Sequence, residues 1–353
     1  MRTLILTGGG TAGHATPALA LLPELRKHFD EIVYVGSKNG IEKDLATEKG
    51  LTYYYVPTVK LERKLTPKNL LIPFKLIFGI SESIKLIKKI NPSAVFSKGG
   101  YVSLPVVIAS KKLGIPVISH ESDITVGLAN KIVAKNSNLF LTSFDVTKVE
   151  NVRCICTGSP LSQDLFSTYD QKSVIKGYGL SGRKKILLVF GGSQGSNAIN
   201  QTTRKTLNRL LERYDVILIC GKGKKSNIKK KGFVEIEFCK NIGELFAISD
   251  LVVSRAGANS LFELTALKKP TLAIPLPKGN SRGDQIENAK YFEKRKMIEV
   301  LEEENMSENS FFNSILKLES KSVELVENCK QRYTISPNER IAKLIKKVSL
   351  EKV

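Results

Sequence analysis

The sequence predicts an α/β protein built from two Rossmann-like domains, and three observations lead to this fold class. Strand-like runs alternate with helix-length segments along the chain, which is typical of parallel α/β units. The pattern restarts at KKILLVF (184–190), and each half opens with a strand that runs directly into a glycine-rich loop. The length of 353 residues is enough for two domains that each bury a core.

Twelve predicted strands define the two halves. In the first half they are RTLILT (2–7), EIVYVG (31–36), TYYYVP (52–57), AVFSK (94–98), PVISH (116–120), NLFLTS (138–143) and VRCICTG (152–158). In the second half they are KKILLVF (184–190), DVILIC (215–220), VEIEF (234–238), LVVSR (251–255) and PTLAIP (270–275). The amphipathic segment NERIAKLIKKV (338–348) follows Pro337 and is predicted to form a helix that returns to the first domain. We therefore expect an N-terminal domain at 1–158, a C-terminal domain at 159–335 and the returning helix within 336–353.

Composition excludes several classes of protein. Five cysteines are an odd and sparse set, which argues against a disulfide scaffold and favours a reducing cytoplasm. A hydrophobic content of 42% argues against disorder. No apolar run is long enough to span a bilayer, and the apolar stretch before the first glycine run is too short for a signal peptide.

Part of the formal net charge of +21 is concentrated in one stretch of the chain. Residues 61–112 carry ten basic residues and two acidic ones, a net +8, around the apolar segment LLIPFKLIFGI (70–80). The lysine-rich run at 222–231 has no interleaved aromatic residues, so nucleic acid is not an expected partner. The residues alone leave two interpretations of 70–80 open: a core helix, or a surface patch for an anionic membrane.

The first glycine loop, Gly8 to His14, matches G-x-G-x-x-G after a strand. Glycine there lets backbone N–H groups approach a phosphate at a helix N-terminus, but a plain strand–helix turn gives the same pattern. A dinucleotide site also needs an acidic residue at the end of the second strand, which here ends Val35-Gly36-Ser37. An NAD-dependent oxidoreductase is therefore disfavoured.

Two further glycine loops lie in the second half. The loop at 191–196 is not a P-loop, yet it offers N–H groups and a serine hydroxyl to a diphosphate. The loop at 254–260 leads into a helix bearing Glu263, which is either a ribose-binding carboxylate or a first-turn partner of the helix dipole. Three such turns indicate a bound nucleotide. Because no D-x-D motif occurs, we expect helix N-termini rather than a metal ion to stabilise the diphosphate.

Seven motifs carry a resemblance to a known family. They are GGGTAGHATPALAL (8–21), SKGGYVSLPVVIAS (97–110), HESDITVGLANK (120–131), TGSP (157–160), GGSQGSNAIN (191–200), SRAGANSLFELTALKKPTLAIP (254–275) and DQIENA (284–289). In this order they resemble the MurG family, the peptidoglycan glycosyltransferases of the GT-B fold. The likeness spans most of residues 1–295.

The resemblance implies two domains that face each other across a cleft, with the donor UDP-GlcNAc in the C-terminal one. It implies inverting transfer of GlcNAc to the C4 hydroxyl of the MurNAc of lipid I (undecaprenyl-pyrophosphoryl-MurNAc-pentapeptide), without a cofactor or a metal ion. It further implies a peripheral position on the cytoplasmic face of an anionic cell membrane and a place in a cell-wall synthesis or division complex. The alternatives are a UDP-GlcNAc 2-epimerase or another GT-B lipid glycosyltransferase.

The resemblance also implies binding residues. The diphosphate is expected to contact Thr11, Ala12, Gly13 and Ser193. The ribose is expected at Glu263, and the backbone around Cys239 is expected to read the uracil edge. The phosphate and sugar pocket is expected to be lined by Ala258, Asn259, Ser260, Leu261 and Phe262, and the GlcNAc hydroxyls are expected to bind Gln285 and Asn288. The lipid acceptor favours a membrane patch made of Leu71, Ile72, Phe74, Lys75, Ile77 and Phe78.

Three motifs depart from the family pattern. Thr11-Ala12-Gly13-His14 stands where the family has T-G-G-H. His120-Glu121-Ser122-Asp123 replaces H-E-Q-N, so a carboxylate stands in place of a donor amide. The stretch from Thr157 to Ser162 lacks the arginine that ends T-G-N-P-x-R. Asp123 and Ser162 remain candidates for donor binding by position.

Inverting transfer needs a base near the acceptor hydroxyl. Of the three histidines, His14 and His120 lie at the carboxyl ends of predicted strands, where α/β sites are found, and His28 is assigned no role. We rank His14 first as the base and Glu121 second, with His120 in an orienting role.

Overall fold

The computed structural model describes residues 1–59, 72–192, 194–278, 283–330 and 336–351. The chain divides into two compact units, Met1–Ser162 with Ile335–Val353, and Gln163–Thr334. Each unit contains one parallel β-sheet with helices packed on both faces. The predicted fold class is thus confirmed. The first segment ends at Ser162, where the sequence predicted 158.

The first unit has seven strands, all paired in parallel. They are β1 (Thr3–Thr7), β2 (Glu31–Gly36), β3 (Thr52–Tyr55), β4 (Ala94–Ser97), β5 (Val117–Glu121), β6 (Leu139–Thr142) and β7 (Cys154–Cys156), ordered β3-β2-β1-β4-β5-β6-β7. The helices between them are α1 (Ala12–Leu19), α2 (Leu22–Leu25), α3 (Ile41–Glu48), α4 (Ile72–Ile90), α5 (Leu104–Lys112) and α6 (Leu128–Lys135). Leu4 and Leu6 belong to the core on one face of the sheet and Ile5 to the core on the other, as expected for a strand buried on both sides.

The second unit has six parallel strands. They are β8 (Lys185–Phe190), β9 (Tyr214–Ile219), β10 (Phe233–Ile236), β11 (Leu251–Ser254), β12 (Thr271–Ala273) and β13 (Glu299–Val300), ordered β10-β9-β8-β11-β12-β13. Its helices are α7 (Gln171–Gly177), α8 (Asn197–Arg213), α9 (Ile242–Ile248), α10 (Ala258–Ala266), α11 (Asp284–Lys294) and α12 (Glu308–Lys330), with 3-10 turns at Gln163–Phe166 and Glu303–Asn305. The two-residue strand β13 was not predicted, because so short a run carries no strand pattern.

The last helix, α13 (Pro337–Leu350), returns to the first unit as predicted. Its apolar face, including Ile341 and Ile345, joins the core beneath β1. Asn338 is buried at the helix start, where its Nδ2 donates to the carbonyl oxygens of Ala20 (3.0 Å) and Leu161 (2.7 Å). The loop that leads out of the first sheet is therefore held by the C-terminal helix.

The strand order of each sheet places its candidate site. In the first unit the order reverses between β1 and β4, and in the second between β8 and β11. In open α/β sheets ligands bind beyond the carboxyl ends of the strands at such a reversal. All three glycine loops begin at these strands, after Thr7, Phe190 and Ser254. Among the described helices, none combines the length and the apolar content needed to cross a membrane.

Candidate active site

The loop after β1 opens the candidate site of the first unit. Thr11 is the N-cap of α1, with an extended backbone (φ −151°) and no side-chain capping hydrogen bond. Thr11 and Gly13 are exposed and Ala12 is half-buried. Gly10 has a φ of +87°, and a Cβ at this position would lie 2.5 Å from the Tyr101 ring, so the tight turn requires glycine. The start of α1 is the part of this loop that a diphosphate can approach.

A buried carboxylate lies on the inner side of the same loop. Glu42, on α3, is fully buried and accepts hydrogen bonds from the backbone N–H of Gly10 (3.2 Å) and from the N–H (3.0 Å) and hydroxyl of Ser37. An acidic residue thus lies near the end of β2 after all, but it comes from α3. Its carboxylate binds backbone and side-chain groups of the neighbouring loops and not a ribose. No local pattern in the sequence indicates Glu42, because its contact with Gly10 spans 32 residues.

Glu42→Ala is expected to destabilise the first unit by about 2 kcal/mol, because it removes a buried carboxylate that accepts from the partly buried N–H groups of Gly10 and Ser37. Glu42→Gln should cost less, since its amide oxygen still accepts from one donor. Thermal unfolding of both variants measures this. Glu48→Ala, which removes an exposed carboxylate from the end of the same helix, is the control. Equal unfolding temperatures for Glu42→Ala and Glu48→Ala would contradict the interpretation.

His14 lies in the first turn of α1 with its ring half-buried. Its Nδ1 is 3.3 Å from the carbonyl oxygen of Lys98. A carbonyl only accepts hydrogen bonds, so Nδ1 carries the hydrogen and the unprotonated nitrogen of the neutral ring is Nε2. Gly100 packs against this ring: a Cβ there would lie 3.2 Å from Cδ2 of His14 and 2.5 Å from the carbonyl oxygen of Gly9. The neutral ring of His14 therefore carries its lone pair on Nε2, the nitrogen with which a general base would accept a proton.

His120, on β5, is buried and held at both ring nitrogens. Its Nε2 donates to the carbonyl oxygen of Gly158 (2.9 Å), and its Nδ1 accepts from Nζ of Lys98 (2.9 Å). Burial, together with the charge of Lys98, holds the pKa of His120 well below its ordinary value. A neutral imidazole with both nitrogens occupied in this way is suited to orienting its neighbours and not to accepting a proton.

Glu121, the second-ranked base, is also engaged at both oxygens. Oε2 accepts from Nδ2 of Asn130 (2.7 Å), and Oε1 accepts from the backbone N–H of the half-buried Asp123 (3.1 Å). The side-chain oxygen of Asn130 in turn accepts from the N–H of Gly100 (2.9 Å). Burial and the nearby charge of Asp123 raise the pKa of Glu121. Because Glu121 is only 3% exposed and holds two loops together, the geometry favours His14 as the base.

Ser162, a donor-binding candidate, is half-buried and is the last residue of the first unit's main segment. The neighbouring Leu161 has its N–H bonded to Oδ1 of Asn338 (2.9 Å). The segment 157–162, in which the family pattern has an arginine, is thus held by a hydrogen bond to α13.

In the second unit a buried arginine joins two glycine loops. Nη2 of Arg255 donates to the hydroxyl of Ser196 (2.7 Å), and Nη1 donates to the carbonyl oxygens of Ile274 (3.2 Å) and Pro275 (3.3 Å). Arg255 also forms an ion pair with Glu303. Since Ser196 is the N-cap of α8, the guanidinium fixes the start of α8 relative to the loop before α10. Ser193, the predicted phosphate-binding serine, lies outside the described residues.

Helix α10 carries the residues predicted to line the pocket. Asn259 and Ser260 are half-buried, whereas Ala258, Leu261 and Phe262 have buried side chains. The Phe262 ring packs edge-on against another aromatic ring, with centroids 5.1 Å apart. Asn259 and Ser260 are therefore the side chains that can meet a ligand here, while the other three contribute core packing and backbone.

Glu263 lies in the second turn of α10, and the first turn of this helix contains no acidic residue. The alternative of a first-turn partner for the helix dipole is therefore wrong, since that effect is confined to the first turn. Burial raises the pKa of Glu263 to about 7. The carboxyl group is thus desolvated beside the point where the strand order of the sheet reverses, and a perturbed pKa at such a place marks a candidate functional residue.

The remaining donor candidates differ in what their side chains do. Oε1 of Gln285 accepts from the N–H of Leu276 (3.0 Å), which ties the start of α11 to the segment after β12. Asn288 is fully buried and its Nδ2 donates to the carbonyl oxygen of Ala256 (3.3 Å), which positions the loop before α10. Cys239 is half-buried after β10, and burial raises the pKa of its thiol, so it is not a thiolate at neutral pH.

No cluster of three or more His, Cys, Asp or Glu side chains suited to a metal ion occurs within the described segments. The two units instead offer helix starts at α1, α8 and α10, where backbone N–H groups and the helix dipole favour an anion.

Two family models match the chain. The N-terminal domain of glycosyltransferase family 28 matches residues 4–139, and the C-terminal domain of the same family matches residues 186–347. The chain belongs to glycosyltransferase family 28. The resemblance to MurG stated from the motifs is likewise confirmed by individual relatives.

Two curated relatives of this family-28 chain are named UDP-N-acetylglucosamine–N-acetylmuramyl-(pentapeptide) pyrophosphoryl-undecaprenol N-acetylglucosamine transferase. The one from Clostridium tetani is 42% identical over 98% of each chain, and the one from Oceanobacillus iheyensis is 44% identical over 94% of each. The crystal structure of Acinetobacter baumannii MurG superimposes with a TM-score of 0.76 at 21% identity, covering 98% of this chain and 100% of that one. The structural match independently confirms the fold.

Helix α4 of this family-28 chain has two apolar faces. Leu76, Ile80 and Ile84 pack against the core, so the core interpretation holds for them. On the other side Phe74, Ile77 and Phe78 are 71%, 64% and 57% exposed, and Lys75 beside them is exposed as well, while Ile72 is half-buried. Leu71 lies outside the described residues. Three large apolar side chains are therefore exposed on one helix, and such a patch marks a surface for a protein partner or a membrane.

Proposed function

We propose that this chain transfers GlcNAc from UDP-GlcNAc to the C4 hydroxyl of the MurNAc of lipid I, which gives lipid II for peptidoglycan synthesis. The observation that carries the proposal is near-full-length identity of 42–44% to relatives named for this transfer. The sheet reversals, each with glycine loops and helix N-termini, fit a sugar nucleotide and a polar acceptor.

The second unit holds the donor in this proposal. The diphosphate lies at the starts of α8 and α10, where Arg255 keeps the loops in place and Ser193 adds a hydroxyl. Glu263 accepts hydrogen bonds from the ribose hydroxyls, Asn259 and Ser260 meet the phosphates and sugar, and Gln285 meets the GlcNAc. The backbone at Cys239 reads the uracil. Charge that develops on the departing UDP is stabilised by these amides, by the N-terminal residues Thr11, Ala12 and Gly13, and without a metal ion.

The first unit supplies the base. Nε2 of His14 takes the proton from the C4 hydroxyl while O4 attacks C1 of GlcNAc from the face opposite the diphosphate. The bond between C1 and the phosphate oxygen breaks, UDP leaves with the bonding electron pair, and the anomeric configuration inverts. His120 and Glu121 keep the neighbouring loops in register, and Asp123 and Ser162 border the donor from this unit.

The enzyme reaches its lipid acceptor from the membrane surface. We propose peripheral attachment to the cytoplasmic face of an anionic cell membrane through Phe74, Ile77 and Phe78, with Lys75 at the headgroups and Ile72 at the edge. We also propose a place in a cell-wall synthesis or division complex, because the proposed acceptor is a cell-wall precursor.

One incubation tests the transfer. The enzyme is mixed with UDP-[¹⁴C]GlcNAc, with and without a short-chain lipid I analogue, after removal of metals by chelation. We expect label in a lipid-linked disaccharide only when the analogue is present, together with one UDP per product. A UDP-GlcNAc 2-epimerase would convert the donor without the analogue, and that result would contradict the proposal.

Glu263 predicts a pH dependence of donor binding. With a pKa of about 7, the group is mostly neutral at pH 6 and mostly ionised at pH 8, and only the carboxylate accepts from both ribose hydroxyls. Affinity for UDP-GlcNAc should therefore rise about tenfold between these pH values. Calorimetry with UDP-GlcNAc measures this without the titrating phosphate of free UDP. Glu263→Gln should bind about tenfold more weakly at pH 8 and lose the dependence; a pH dependence unchanged in that variant would refute the assignment.

A further inference from the structure

Lys98 is a buried lysine to which neither the family resemblance nor the proposed chemistry assigns a role. It directly follows β4, between Ser97 and the Gly99–Gly100 turn, and is only 1% exposed. Lysine is almost never fully buried unless its ammonium is paired, because an unpaired buried charge is strongly unfavourable. The buried ammonium of Lys98 therefore needs hydrogen-bond partners and opposite charges nearby.

The ammonium of Lys98 meets the loop after β5. Nζ donates to Nδ1 of His120 (2.9 Å) and to the hydroxyl of Ser122. Glu121 and Asp123, on the same loop, supply the negative charges that favour the ammonium, while burial opposes it and lowers the lysine pKa. The two hydrogen-bond partners of Nζ and the two carboxylates that favour its charge thus come from the four-residue stretch 120–123.

This arrangement gives a reason for two departures from the family pattern. Where the family has H-E-Q-N, this chain has Ser122 and Asp123. The hydroxyl of Ser122 accepts directly from the buried ammonium, and the carboxylate of Asp123 balances its charge. An amide at position 123 would supply no charge to a buried lysine. Lys98, Ser122 and Asp123 therefore form one compensated set.

Lys98 also determines the state of both site histidines. Because Nδ1 of His120 accepts a hydrogen bond from the Lys98 ammonium, the hydrogen of the neutral ring is on Nε2. Nε2 donates this hydrogen to the carbonyl oxygen of Gly158. The main-chain carbonyl of the same lysine accepts from Nδ1 of His14, which leaves Nε2 of His14 unprotonated. One residue thus orients two imidazoles in opposite tautomers.

We propose that Lys98 is a positioning residue of the transfer reaction, whose buried ammonium fixes His120 and the 120–123 loop while its carbonyl fixes His14. Its effect on turnover rests on the proposed function, whereas its effect on the histidines does not. Loss of the ammonium removes the hydrogen bonds that Nδ1 of His120 and the Ser122 hydroxyl accept from it, and it removes a positive charge beside two carboxylates. The loop is expected to shift, and displacement of groups around a reacting centre by about 1 Å lowers turnover by up to about a hundredfold.

Nuclear magnetic resonance of ¹⁵N-histidine-labelled enzyme tests the first half. The chain has only three histidines, so His→Gln variants assign every ring. In the wild type we expect His120 as the Nε2–H tautomer, unprotonated between about pH 6 and pH 8, and His14 as the Nδ1–H tautomer when neutral. In Lys98→Met the Nδ1 resonance of His120 should move and its ring should protonate at higher pH than in the wild type. A wild-type His120 found as the Nδ1–H tautomer overturns the proposal without any variant.

Kinetics test the second half. Lys98→Met is expected to lower kcat between about tenfold and a hundredfold, with the KM for UDP-GlcNAc changed by less than about threefold. Ethylammonium should restore part of the turnover of Lys98→Ala, and ethanol, which is neutral and of similar size, should not. Lys148→Met, which changes an exposed lysine of the same unit, is the matched control. A folded Lys98→Met enzyme with wild-type kcat overturns the positioning role. Absence of transfer by the wild type itself contradicts only the proposed function, since the resonance experiment still reports on Lys98.

Discussion

His14→Ala is expected to lower kcat by about a hundredfold to ten-thousandfold, the usual contribution of a positioned general base. The ring is held through Nδ1 by the Lys98 carbonyl and packs against Gly100, so the substitution removes the unprotonated Nε2 without touching the core. Initial rates with UDP-GlcNAc and a soluble lipid I analogue measure the loss. Because His14 acts on the acceptor, calorimetric affinity for UDP-GlcNAc alone should stay within about threefold of the wild type.

Two comparisons make the His14 result specific. His28→Ala removes a half-buried histidine that lies between α2 and β2 and was assigned no role, and it should leave kcat unchanged. Glu121→Gln keeps an acceptor oxygen for Asn130 or Asp123 and should cost less activity than His14→Ala. Full turnover by His14→Ala, or a larger loss in Glu121→Gln, would transfer the role of base away from His14.

The parts of this molecule that the sequence predicted are those with local signals. Parallel strands buried on both faces read as continuous apolar runs, and glycine loops after them mark where the chain turns into a helix. Hence the first strand of each half, the loops at Gly8 and Gly191, and the returning helix beyond Pro337 were all found in place. The position of His14 followed from the same pattern.

What the sequence could not supply are contacts made across long stretches of chain. Glu42 reaches Gly10 from α3, Lys98 reaches His120 from the neighbouring strand, and Arg255 reaches Ser196 from across the sheet reversal. A weak signal existed for Lys98 alone: a charged residue directly after a fully buried strand must either leave the core or find partners inside it.

Helix α4 shows a different limit. The 70–80 segment is apolar almost throughout, so composition offered a core helix and a membrane patch as equal alternatives. In the structure the two interpretations apply to different residues. Successive residues of a helix are rotated by about 100°, so that Leu76 and Ile80 pack against the core while Phe74 and Ile77 are exposed. Both interpretations hold, each for its own face of one helix.

The triple variant Phe74→Ser, Ile77→Ser, Phe78→Ser is expected to weaken binding to anionic vesicles about a hundredfold. These side chains are more than half exposed, so their removal costs the folded core little. Partial insertion of each into the acyl region is worth about 1 kcal/mol, roughly half of full burial, and three together give about 3 kcal/mol. Co-sedimentation with phosphatidylglycerol vesicles measures the loss, and phosphatidylcholine vesicles separate the apolar term from the attraction of Lys75 and its neighbours to anionic headgroups.

The control for this variant removes exposed apolar side chains elsewhere. Phe166→Ser with Val323→Ser changes side chains that are 53% and 81% exposed in the second unit, and vesicle binding should not change. The triple variant should keep its activity on a short-chain, water-soluble acceptor and lose it on lipid I embedded in vesicles, because only the second substrate must be approached at a bilayer. Equal vesicle binding by the triple variant and the wild type would mean that the outward face of α4 has another partner, and that a different surface brings His14 to the lipid.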